Sequence, residues 1–177
     1  MPTSASSFWR DANRVPITLN GLLVTKSYTF VSTGTLVIPL FSVTGTVQLL
    51  SLYGIVTTAL AGNHRVGAFR LNDQTAQVQI TSATGPTMDS APIGSMIIAD
   101  VLAATAATFK SSAAGAVFQP ATAGINPFSG SILTQKAGGI ETDIEYCFTS
   151  STNPTTGAMQ FFCGFVPISV DGNITAL

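Results

Sequence analysis

Residues 140–149, IETDIEYCFT, and residues 158–166, AMQFFCGFV, are the two stretches whose reading decides the fold. Both are rich in β-branched and aromatic residues, and the intervening residues 150–157 carry Asn153-Pro154, a turn signal. Successive side chains of a strand point to opposite faces. In the first stretch Ile144, Tyr146 and Phe148 therefore share one face, and Glu141, Asp143, Glu145 and Cys147 share the other. The second stretch is apolar on both faces, with Phe161, Cys163 and Phe165 on one and Phe162 and Val166 with Gly164 on the other. The two are expected to pair as antiparallel neighbours. A strand apolar on both faces has to be covered twice, by a core on one side and by a loop or neighbouring subunit on the other. Phe161, Phe162 and Phe165 are thus the candidate core or subunit-interface residues. The class this predicts is all-β: an antiparallel β-sandwich or a jelly-roll-like barrel.

Shorter runs of the same chemistry lead up to this pair. Residues 17–23 contain Asn20-Gly21, the strongest short hairpin signal. Residues 36–41, 47–53 and 55–60 follow as strands, parted by Gly45-Thr46 and by Gly54. Pro39 has no N–H to give to a ladder, so the first of these is expected at an edge or with a bulge. Residues 66–71 and 76–81 flank Asn72-Asp73, a turn in which both side chains can bond the nearby backbone. Residues 96–109 are Ala-rich and admit one short helix, against a strand reading carried by Ile97, Ile98, Val101 and Leu102. Residues 111–128, rich in Ala, Gly and Pro, read as a long loop. Residues 1–16 form an N-terminal arm ahead of a single β domain over 17–177. In the arm, Phe8 and Trp9 stand beside Arg10 and Arg14, the residue types that dominate interface hot spots. The arm reads either as an anchor onto a partner or as a terminal segment folded onto its own domain.

Composition narrows the function classes. The 177 residues carry 7 Lys+Arg and 8 Asp+Glu, or 8% charged, against roughly 25% in an average soluble protein. So few cations argue against nucleic acid as a partner, because phosphate binding needs clustered Lys and Arg. The longest uncharged run, residues 27–63, is broken by Gly34, Pro39, Gly45, Gln48 and Gly54 and studded with Ser and Thr, so no membrane span is expected. No apolar leader stands in residues 1–15, which suits a protein made in a cytoplasm, where Cys147 and Cys163 stay thiols.

Chemistry-bearing constellations are few. Glu141, Asp143 and Glu145 form an acidic stripe at a strand spacing of about 6.6 Å. It reads first as a solvated charged face, then as an ion or subunit contact, and last as an acid/base pair. His64 lies in a loop with no declared nucleophile beside it. No catalytic residue, metal site or cofactor is expected.

Four segments carry a resemblance: FWRDANRVPIT (residues 8–18), IPLFSVTGTVQLLSLYGIVTTAL (38–60), RLNDQTAQVQIT (70–81) and GAMQFFCGFVPISVDGNITAL (157–177). They resemble small structural proteins encoded among the head genes of tailed bacteriophages. The resemblance implies a virion component on the capsid surface, a decoration or cement protein bound to the major capsid protein, commonly as a homotrimer. A head-fibre or receptor- or carbohydrate-binding module is the nearest variant. Low charge also favours self-association.

Overall fold

A computed structural model describes residues 21–31, 36–61, 67–81, 87–99, 108–110, 132–148 and 156–177. Eleven strands run through them: β1 (Leu22–Thr29), β2 (Leu36–Thr44), β3 (Thr46–Ala61), β4 (Ala68–Asn72), β5 (Gln77–Gln79), β6 (Met96–Ile98), β7 (Thr108–Lys110), β8 (Ile132–Thr134), β9 (Asp143–Phe148), β10 (Thr156–Pro167) and β11 (Asn173–Ala176). All pairings are antiparallel. One sheet has the order β1-β10-β3-β6-β7, with β8 also on β3, and the other has the order β11-β2-β9-β4-β5. The sheets do not close into a barrel, so the sandwich is the form taken.

The inner faces meet through large side chains. Phe69, Tyr146, Phe161, Phe165, Leu52 and Ile97 are all at most 2% exposed. Across the gap the Tyr146 and Phe161 ring centroids are 5.2 Å apart, and those of Phe69 and Phe161 are 6.3 Å apart at 87°. Burying one such ring is worth about 1.5–3 kcal/mol. These contacts correct the pairing expected between residues 140–149 and 158–166. β9 lies between β2 and β4 in one sheet, and β10 between β1 and β3 in the other. Alternation and composition identify a strand, but its partner is chosen by long-range packing, and here the two strands face each other.

Three further expectations are decided by the structure. Residues 47–60 are one strand rather than two. Gly54 keeps the extended course of β3, because a Cβ there would lie 2.8 Å from Met159 Cε and 2.9 Å from Phe161 Cδ1. Glycine is needed for the space that the Phe161 ring occupies, and it makes no turn. Pro39 has the bulge expected from its missing N–H: a register shift falls between Pro39 and Phe41 on the β9 side, and β11 on the other side pairs only with Phe41–Thr44. At 96–109, Met96–Ile98 pairs with Thr108–Lys110, and there is no helix among the described residues. The β-branched Ile97, Ile98 and Thr108 prefer the extended backbone. By contrast, the Asn72-Asp73 turn forms as read: Asn72 Oδ1 accepts from Gln74 N at 3.0 Å, and Asp73 Oδ1 accepts from Thr75 N at 2.9 Å and Ala76 N at 2.6 Å.

Candidate interaction surface

At one end of the sandwich the chain crosses between sheets through a single residue, Gly45, held at φ 55° between β2 and β3. A Cβ at Gly45 would come within 2.5 Å of Asp171 Oδ1 and Ser169 Oγ, so only glycine admits the turn that joins β10 to β11. That turn, residues 168–172, is pinned from several directions. Ile168 N and Ser169 N donate to Thr46 O at 2.9 and 3.1 Å, and Thr46 N donates back to Ser169 Oγ at 2.7 Å. Gly172 N donates to Ser169 O at 3.0 Å, and the Thr44 hydroxyl donates to Asp171 O at 3.2 Å. The Ser169 hydroxyl bond holds the Asp171 carboxyl below the usual carboxylate range.

This rigid support holds apolar side chains outward. Val170 is 92% exposed and Ile168 54%. A large aliphatic group kept in water by a turn with little freedom suits a contact, because ordering costs on binding are already met. No sequence reading singled out residues 168–172; the Asp171-Gly172 dipeptide is the local signal that could have marked the turn, and the remote strands that pin it leave no local trace.

The acidic stripe corrects the expectation of a solvated face. Glu141 is exposed, whereas Asp143 and Glu145 are only 4% and 6% exposed. Arg70 Nε meets Glu145 Oε2 at 2.7 Å, Asn72 Nδ2 donates to Glu145 Oε1 at 2.8 Å, and Arg70 Nη1 donates to Gln77 Oε1 at 2.8 Å. β4 delivers Arg70 and Asn72 opposite Glu145 and Asp143 by register. Glu145 is thus committed to a structural network. Asp143 Oδ1 has no hydrogen-bond partner. Burial pushes the Asp143 carboxyl up, Glu141 and Glu145 add to this, and the Ser42 hydroxyl opposes it. Among the described residues no group of three His, Cys, Asp or Glu is placed to hold a metal ion. Burial raises both thiols, Cys163 to about 12, so neither is poised as a nucleophile.

Of the three phenylalanines singled out in sequence, Phe161 and Phe165 enter the core, while Phe162 lies half-buried on the outer face of its sheet. There it stacks on Tyr53 of β3, with centroids 4.8 Å apart and planes 9° apart. Phe8, Trp9, Arg10, Arg14, His64 and residues 111–128 lie outside the described residues. Comparison of the chain with protein-family models, with curated proteins and with solved structures found no match.

Proposed function

We propose that this protein is a structural component of a tailed-phage virion, a decoration or cement protein that binds the major capsid protein on the outer capsid as a homo-oligomer, a trimer by the resemblance. The observation that carries the reading is the pinned turn at 168–172, which presents Val170 and Ile168 to solvent on a scaffold with 8% charged residues. Such a tip is built for contact with another protein. Binding only to the assembled shell stabilises that shell by mass action, about 2.7 kcal/mol at a free concentration one hundred times Kd.

The test mixes the purified protein with empty capsids and follows binding and capsid melting. The parent should bind and raise the transition. Val170→Asp should fold normally, because its side chain is in water, and should weaken binding about thirtyfold, the equivalent of about 2 kcal/mol at 1.4 kcal/mol per tenfold. If the parent neither binds nor shifts the melting, the cement reading is wrong.

A further inference from the structure

The outer face of the β1-β10-β3-β6 sheet is the largest feature that the proposed function leaves unused. By register, Leu23 stands opposite Gly164, and Phe162 opposite Tyr53. Tyr53 and Ile55 in turn stand opposite Ile98 and Met96. Leu23 is 62% exposed, and the other five apolar side chains are half-buried. β1, β10, β3 and β6 place no charged side chain on this face. Among the described residues charge enters by register only at the sheet edge, where Lys110 of β7 pairs with Met96. The outer face of the other sheet is the internal contrast. There Arg70 and Asn72 donate to Glu145, and Arg70 donates to Gln77, a polar network of the kind a solvated sheet face carries. The sandwich thus has one polar outer face and one apolar one.

We propose that this apolar face is the contact between copies of the chain in the homo-oligomer, with the Tyr53–Phe162 stack at its centre. The inference deepens the proposed function and rests on it for the oligomer alone. Charge favours a second copy as the occupant. A face that carries none can meet the same face of another copy, across a two-fold or around a three-fold axis, without setting like charges together. The net charge of −1 adds little repulsion between whole chains. A partner of different sequence would be selected by charge complementarity, and this face offers no charge to select with. Its anatomy is also that of a subunit contact. Two rings 4.8 Å apart and 9° from parallel occupy the middle strands, aliphatic side chains flank them, and Thr25 and Ser27 of the edge strand β1 are exposed at the rim.

Size suits this occupant as well. Four strands cover about 19 Å, and β3 from Thr46 to Ile55 about 33 Å, a projected area of about 600 Å². Side chains standing up from the sheet add to the accessible surface, which brings the face near the roughly 800 Å² per partner of a stable interface.

The test uses the full chain without capsid, in analytical ultracentrifugation over the micromolar range. The parent should sediment as an oligomer. Leu23→Asp, at a site already in water in the single chain, should keep the β circular dichroism and weaken association about a hundredfold or more, because closing the contact would strip water from the new charge. Phe162→Asp, at the centre, should do the same and decides the matter should Leu23→Asp fold poorly. Val78→Asp, 61% exposed on β5 of the other sheet, should leave the oligomer intact. A parent of single-chain mass throughout that range would overturn the proposal, and the homo-oligomer of the proposed function with it. An oligomer that withstands both Leu23→Asp and Phe162→Asp would overturn the proposal alone, as would one that Val78→Asp dissociates equally.

Discussion

Asp143 and Asp73 show how one carboxylate can work against the fold while another works for it. The Asp143 carboxyl is held above its usual range, chiefly by burial, with Glu141 and Glu145 nearby. A group whose folded pKa exceeds its unfolded one contributes stability at low pH, and that contribution is lost as pH rises through the folded value. Ionising Asp143, one of whose oxygens has no hydrogen-bond partner, is therefore a cost. Asp143→Asn should raise stability at pH 7 by about 1 kcal/mol, the low end of the range for an unsatisfied buried polar group. Denaturant unfolding should show the gain shrinking toward pH 4. A variant less stable than the parent at pH 7 would mean that the charge is needed. Asp73 runs the other way. Three hydrogen bonds from Thr75 and Ala76 lower it to about 2, so its help to the β4–β5 turn is present above the usual carboxylate range and lost as pH falls toward that value.

At the scale of elements, the sequence located strands better than it located their partners. The turn between β4 and β5 was legible, because Asn72 and Asp73 act on backbone two or three residues away, whereas the strands run 68–72 and 77–79 rather than 66–71 and 76–81. The facing of β9 and β10 was not, since nothing local distinguishes a hairpin neighbour from a strand across the core. The acidic stripe misled for a similar reason: Arg70 and Asn72, which bury Glu145, arrive from a strand some 70 residues earlier. In the candidate surface, the turn at 168–172 was missed in sequence although Asp171-Gly172 is a turn signal, and its rigidity comes from Thr44, Gly45 and Thr46. Gly45→Ala tests that coupling. A Cβ at φ 55° and 2.5 Å from Asp171 Oδ1 and Ser169 Oγ should cost about 1–3 kcal/mol in chemical denaturation. Stability equal to the parent's would show that the corner relaxes freely. β10 offers a second contrast. Phe165→Asp puts a charge into the core and should abolish folding, whereas Phe162→Asp, on the outer face, should leave the sandwich formed.

For the whole molecule, the question is whether the arm serves the protein's own fold or its partner. The contacts that pin the turn presenting Val170 come from residues 44–46 and from the turn itself, so removing the arm should spare that turn. Deletion of residues 1–13 removes Phe8 and Trp9 but leaves every described strand, because β1 begins at Leu22. The truncated chain should fold and melt earlier. An arm folded onto its own domain would lose two buried aromatics on deletion, a cost of about 2 kcal/mol, or about 4–8 °C for a chain of this size. Capsid binding measured at low concentration should stay within about threefold of the parent, well short of the thirtyfold loss set for Val170→Asp. The reverse result, unchanged melting with binding abolished, would make Phe8, Trp9, Arg10 and Arg14 the capsid anchor.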